Sequence, residues 1–177
     1  MAAHNEKRTL VLTLFTFFTL LCPPLWAATF DVTPSSDSDC TDFECDLQSA
    51  LNAASSNDDG DVINLAAGTY DASGNAFTWG TDQNFPITLI GSDGAIIDGG
   101  NTDRGLLLDT SNVALDTNAH ITIKNIAFQN GSPPSGRGGG LLITTHYADI
   151  TVEHCQFIGN LAADGGGGST HLPKPER

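Results

Sequence analysis

ITIKNIAFQNG, residues 121–131, and ITVEHCQFIGN, residues 150–160, decide how this chain is built. They repeat at an offset of 29 residues, so that Ile121 falls on Ile150, Ile123 on Val152, Ile126 on Cys155 and Phe128 on Phe157. Each copy is followed by a glycine cluster, Gly138 to Gly140 and Gly165 to Gly168. A period of about 20 to 50 residues marks a stacked architecture, in which each unit buries its apolar face only against its neighbours.

The pattern inside each copy sharpens this. Ile121 and Ile123 alternate as on a strand, Asn125 breaks the alternation, and Ile126 and Phe128 point inward again. Two short strands joined by a sharp corner satisfy that pattern, and Asn tolerates the left-handed backbone a corner needs. Consecutive coils then stack as parallel strands ~4.8 Å apart. The expected core stack is Ile121, Ile123, Ile126, Phe128, Ile150, Val152, Cys155 and Phe157, with Phe128 and Phe157 one above the other. Cys155, in the slot of Ile126, reads as a small buried apolar residue rather than a reactive thiol.

Upstream, Phe30 to Val32 suit a short strand and Thr33 to Asp42 a loop. In DLQSALNAASS, residues 46–56, Leu47, Ala50, Leu51 and Ala54 form one apolar stripe and Asp46 is a suitable N-cap, which predicts a short helix. A helix of about ten residues is marginal alone, so its stripe is expected to dock on the open end of the stack. Strand-like runs follow at Ile63 and Leu65, at Ile87 and Leu89, at Ile96 and Ile97, and at Leu106 to Leu108. From Ile63 to Ile87 is 24 residues and from Ile87 to Ile121 is 34, an irregularity that turns of varying length absorb at little cost.

Residues 1–27 have the form of a secretory leader: Lys7 and Arg8, an apolar run from Leu10 to Leu21, and a small residue at Ala27. The run is 12 residues, short of the ~20 a membrane span requires, and no later stretch is long and apolar enough to cross a bilayer. The formal net charge is −14, and 20 of the 21 acidic residues lie beyond residue 27. Such a surface repels phosphate backbones, so nucleic acid is not an expected partner. In an exported chain the four-residue gap between Cys40 and Cys45 suits a local disulfide.

CDLQSALNAASSNDDGDVINLAAGTY, residues 45–70, resembles the opening of secreted bacterial right-handed parallel β-helix proteins, whose pattern runs Cys-Ser-Leu-Arg-Glu-Ala, a helix, an Asp, a strand and Pro-Ala-Gly-Thr-Tyr. Cys45, Leu47, Ala50, Asp61, Ala67, Gly68, Thr69 and Tyr70 match; Asp46, Gln48, Ser49 and Ala66 depart from it. FIGN, residues 157–160, and GGGLL, residues 138–142, are similar to the repeats of polymorphic outer membrane proteins, although FQNG carries its Asn one place early. The resemblance implies an all-β, right-handed parallel β-helix of the pectin-lyase-like superfamily with a short N-terminal capping α-helix. The expected organisation is a leader at 1–27, a cap at 28–60, coils at 61–168 and an unstructured tail at 169–177. Because STHLPKPER, residues 169–177, shows no alternation, the last coil reads as incomplete and the chain as an N-terminal fragment or an altered reading frame.

Functionally the resemblance implies an exported or cell-surface module for adhesion, interaction or structure, with host or cell-surface glycans or proteins as partners. The alternative is a carbohydrate-active β-helix whose catalytic coils are missing. A lyase of that kind needs carboxylates for calcium and a basic residue as proton acceptor. Asp98, Asp103 and Arg104 come nearest, in a Gly/Asn-rich stretch where Asp more often serves turn chemistry. His120, His146 and His154 fall at or near strand ends. No catalytic residue, cofactor or metal is expected.

Overall fold

The computed structural model describes residues 27–34, 44–57, 59–164 and 169–171. β1 (Thr29–Val32) and the two-residue β2 (Glu44–Cys45) precede the helix α1 (Leu47–Ala54). The first coil is β3 (Asp61–Leu65), β4 (Gly68–Asp71) and β5 (Phe77–Gly80), and the second is β6 (Ile87–Gly91), β7 (Ala95–Asp98) and β8 (Leu106–Asp109). The third is β9 (Ile121–Lys124), β10 (Ala127–Gln129) and β11 (Leu141–Thr144), and the fourth is β12 (Ile150–Glu153), β13 (Gln156–Ile158) and β14 (Ser169–His171).

These strands form three sheets, ordered β12-β9-β6-β3-β1-β2, β13-β10-β7-β4 and β14-β11-β8-β5, and every pairing is parallel. We call them sheets A, B and C. The described residues form a parallel β-helix of four coils with one short helix.

The offset of 29 holds: β12 lies on β9 with Ile150 beside Ile121, and β13 on β10 with Phe157 beside Phe128. Earlier in the stack the register differs from the apolar spacing. Ile63 pairs with Leu89, and it is Asp61 that lies beside Ile87, which makes that offset 26 residues. The spacing of 24 misleads because Asp61, a charged residue, takes an inward slot of β3.

Inward side chains stack in columns. Phe30, Ile63, Leu89, Ile123 and Val152 form one on sheet A, while Tyr70, Ile97, Phe128 and Phe157 form one on sheet B. Ile121, Ile123, Ile126 and Phe128 are fully buried. In the second copy Ile150, Val152 and Cys155 are half-buried, and Phe157 is 44% exposed. These four point toward the core, but no strand among the described residues covers the far edge of β12 or β13.

α1 closes the other end. Asp46 Oδ1 accepts from Ser49 N–H at 2.7 Å, the N-cap the sequence predicts, and the stripe Leu47, Ala50, Leu51 and Ala54 is buried. Gln48 adds a contact that the stripe does not reveal. Its Oε1 accepts from Thr78 N–H and its Nε2 donates to Thr78 O, both at 2.8 Å. One side-chain amide thus replaces a missing strand on the open edge of β5. The Gly-Thr-Tyr segment has an equally local reason: Tyr70 Oη donates to Val32 O at 2.8 Å and to Ala66 O at 3.1 Å, tying β1 to the first coil.

Two expectations fall differently. Ser169–His171, placed in an unstructured tail, pairs as β14 with β11 and gives the fourth coil its third strand. The backbone groups of a free strand edge recruit a partner whatever its side-chain pattern, so the coil that reads as incomplete is closed on three sides. Residues 172–177, 1–26 and Cys40 lie outside the described residues; Cys45 is buried on β2.

Candidate functional site

Sheets A and B meet at a corner repeated up the stack. Gly94, Asn125 and His154 occupy equivalent positions, one residue before Ala95, Ile126 and Cys155, and all have positive φ: 86°, 57° and 54°. Left-handed backbone costs a residue with a Cβ about 1–2 kcal/mol, least for Asn. The corner turns the chain so sharply that outward residues of sheet B and the corner side chains enclose a trough of about 480 Å³. Ile96, Ala127 and Gln156 form its floor, Asp93, Asn125 and His154 one wall, and Gln129 and Ile158 the other. The lining therefore combines amides, one imidazole and one carboxylate over a small apolar floor.

Next to this trough lies a rigid polar cluster. Gln129 Nε2 donates to Asp98 Oδ2 at 2.7 Å, Asn130 Nδ2 bonds the same carboxylate at 3.1 and 3.2 Å, and Gly100 N–H donates to Oδ1 at 2.9 Å. Partial burial pushes the Asp98 carboxyl up, but the donors Gly100, Gln129 and Asn130 outweigh it and hold the group below the usual carboxylate range. It is a fixed anion that orients Gln129, not an acid that releases a proton near neutrality.

The other candidates do not converge. Asp103 Oδ1 accepts from Arg104 N–H at 2.7 Å, a turn contact. The Arg104 guanidinium donates to Gly138 O at 2.8 Å and to Arg137 O at 2.7 Å, clasping the loop before β11. Each histidine has a separate environment: His120 faces Asp149 at 3.6 Å, His146 Nδ1 lies 3.3 Å from Val113 O, and His154 lines the trough. No group of three or more His, Cys, Asp or Glu side chains able to hold a metal occurs among the described residues. Cys155 Sγ lies 3.4 Å from Glu153 O, and burial pushes its thiol up, away from the thiolate a nucleophile needs.

Two features escape the sequence reading. Thr81, Thr110 and Thr145 form a buried column where sheet C turns toward sheet A. Thr110 Oγ1 donates to Asp116 Oδ2 at 2.6 Å, and Asp116, fully buried, also accepts from His146 N–H at 2.8 Å and from Tyr147 N–H. Burial pushes the Asp116 carboxyl up; these hydrogen bonds outweigh it and bring it below the usual range. Asp116 is a loop fastener. The available signal was a Thr following the last residue of β5, β8 and β11, as in Gly80-Thr81, Asp109-Thr110 and Thr144-Thr145.

No protein-family model, curated protein or solved structure matches the chain.

Proposed function

We propose that the protein is an exported parallel β-helix that acts as an interaction module, with the sheet B trough as its binding face for glycans of a cell surface or host. The observation that carries this reading is the composition of the trough: Asn125 and Gln129 amides, the His154 ring and the Asp93 carboxylate border a floor of Ile96, Ala127 and Gln156, two apolar side chains and one amide. Neutral amides both donate and accept, which suits hydroxyl-rich ligands, and a small apolar floor suits the faces of sugar rings. The chemistry favours binding over bond cleavage, because Asp98 beside the trough is locked as an anion by three donors.

Export through residues 1–27, the Cys40–Cys45 disulfide and kinship with the pectin-lyase-like and polymorphic outer membrane proteins belong to the same proposal. Their support is the match of Cys45, Leu47, Ala50, Gly68, Thr69 and Tyr70 to the secreted β-helix pattern. The structural work of Asp46, Leu47 and Tyr70 at the capped end is in keeping with it.

A glycan array followed by titration of hits tests the reading. Gln156→Ala, at an exposed floor position, should weaken binding at least ~10-fold without changing the melting temperature. Unsaturated uronic-acid products, seen by ultraviolet absorbance on incubation with polyuronates, would replace it with the lyase reading. Binding unaffected by Gln156→Ala and His154→Ala would remove the trough as the binding face.

A further inference from the structure

The sheet B trough is bordered by carboxylates and by no cation. Asp93 stands exposed in one wall. Behind the other wall Asp98 is held by Gly100, Gln129 and Asn130, neutral donors that fix its carboxylate without cancelling the charge. Asp71 on β4 lies beside Asp98 in the register of the sheet, so a second carboxylate continues the same outward column. The described Lys and Arg residues are Arg104, Lys124 and Arg137, and none lines the trough. Lys124, next to Asn125 in the chain, is outward on sheet A with its Nζ 3.0 Å from Glu153 Oε2. The Arg104 guanidinium is taken up by the carbonyls of Arg137 and Gly138. Gln129 adds direction to this field: its Nε2 donates to Asp98 Oδ2 at 2.7 Å, so the end of the amide left for a ligand is Oε1, an acceptor.

We propose, resting on the trough as the glycan face, that it selects a saccharide bearing a primary ammonium, an unacetylated hexosamine, over neutral and acidic sugars. An ammonium offers three donors and no acceptor, which matches a carboxylate at one wall and an amide oxygen at the other. A strand rises ~3.3 Å per residue, which puts the Cα atoms of Ile96 and Asp98 ~7 Å apart. A ligand on the floor therefore sits within a Debye length of Asp98, ~8 Å at ordinary ionic strength. Two uncompensated charges at that range favour a unit positive charge by roughly 10-fold in water-exposed surroundings. Uronates and sulfated sugars meet the same field with the opposite sign. The apolar part of the floor, Ile96 and Ala127, takes ring faces, which separates an amino sugar from a linear polyamine of equal charge.

The full chain is titrated with β-1,4-linked tetramers of glucosamine and of glucose, with a galacturonate tetramer and with spermine, at pH ~7, where an amine of this kind is mainly protonated. At low salt the glucosamine tetramer should bind roughly 10-fold more tightly than the glucose tetramer, and galacturonate and spermine at least ~10-fold more weakly than glucosamine. At ~0.5 M salt the preference for glucosamine over glucose should fall below ~3-fold. Asp93→Asn should cut that preference at low salt to roughly 3-fold. Asp82→Asn, which removes the same charge from the exposed loop between β5 and β6, should leave it unchanged. Equal affinity for the glucosamine and glucose tetramers, both weakened by Gln156→Ala, would overturn the ammonium preference and keep the trough as a glycan face. Spermine binding as tightly as the glucosamine tetramer, or equal losses in Asp93→Asn and Asp82→Asn, would overturn it in favour of the chain's net charge. Glucosamine binding untouched by Gln156→Ala would remove the trough as the binding face, and the preference with it.

Discussion

The rings of Phe128 and Phe157 lie parallel within 11°, their centroids 5.3 Å apart, on neighbouring strands β10 and β13. The two residues hold the same place in the two repeat copies, so this contact is the repeat period made physical. The members are not equivalent, since Phe128 is fully buried and Phe157 is 44% exposed. Phe128→Ala should therefore cost about 3–5 kcal/mol, the usual range for a buried phenylalanine, and Phe157→Ala less than half as much. Urea unfolding measures both; equal costs would mean that the fourth coil is covered.

Asn125 turns the corner between β9 and β10 at φ 57°. Its side chain is exposed, so a substitution reports on backbone conformation with little packing change. Asn125→Val should destabilise by about 1–2 kcal/mol, because a β-branched residue fits left-handed backbone poorly. Asn125→Gly should be close to neutral. If the two variants melted alike, the corner would not demand a left-handed residue.

Gly131 and Gly139 lie against each other where the third coil's glycine loop folds back. A Cβ on Gly131 would strike the Gly139 carbonyl, and one on Gly139 would strike the Leu161 carbonyl, in each case closer than real Cβ atoms come to backbone. Backbone cannot swing aside as a side-chain tip does, so Gly131→Ala and Gly139→Ala should each cost about 2–4 kcal/mol. Gly74→Ala has open space and pays only for its φ of 76°, which should make it the mildest of the three in thermal melts.

Burial pushes the Asp61 carboxyl from an ordinary 3.8 up to about 6, against the pull of Asn57 and the Ala28 backbone, with the charge of Asp59 adding to the rise. The folded state therefore holds a proton that the unfolded state has released between those two values. This contribution to stability is fully present below pH ~4, falls as pH rises to ~6, and is flat beyond. The fall is on the order of 3 kcal/mol, since each pH unit separating the folded and unfolded values is worth about 1.4 kcal/mol. The stability of the parent chain minus that of Asp61→Asn should drop over this window. Parallel curves would contradict the assignment. Taking the difference is necessary because Asp71, Asp98 and Asp116 are lowered and gain stability as pH rises through their own, more acidic range.

The architecture was legible in the sequence because the deciding signals are local. The doubled pattern, Ile-x-Ile at 121–123 and Ile-x-Val at 150–152, the Asn125 corner and the stripe of α1 each lie within about ten residues, and the structure has all three. β5 was not legible because Phe77–Gly80 buries only Trp79 and ends on glycine, so the strand owes its form to pairing with β8. β14 is a similar case, formed along β11. Asp61 reads as a turn residue since carboxylates seldom face a core, and only the register beside Ile87 reveals its inward slot. The trough was hidden because Asp93, Asn125 and His154 come from three different coils and meet only through the stacking register.

A double-mutant cycle on Phe128 and Phe157 tests the central claim, that the two repeat copies are adjacent coils in register. Stability is measured for the parent, Phe128→Leu, Phe157→Leu and the double variant, with Phe30→Leu and Phe157→Leu as a distant control pair. Stacked aromatic rings couple by about 0.5–1.5 kcal/mol beyond the area they bury. Adjacent coils in register should give coupling of that size for Phe128 with Phe157 and additivity within ~0.5 kcal/mol for the control. Additive costs for Phe128 and Phe157 would contradict the stacked coils.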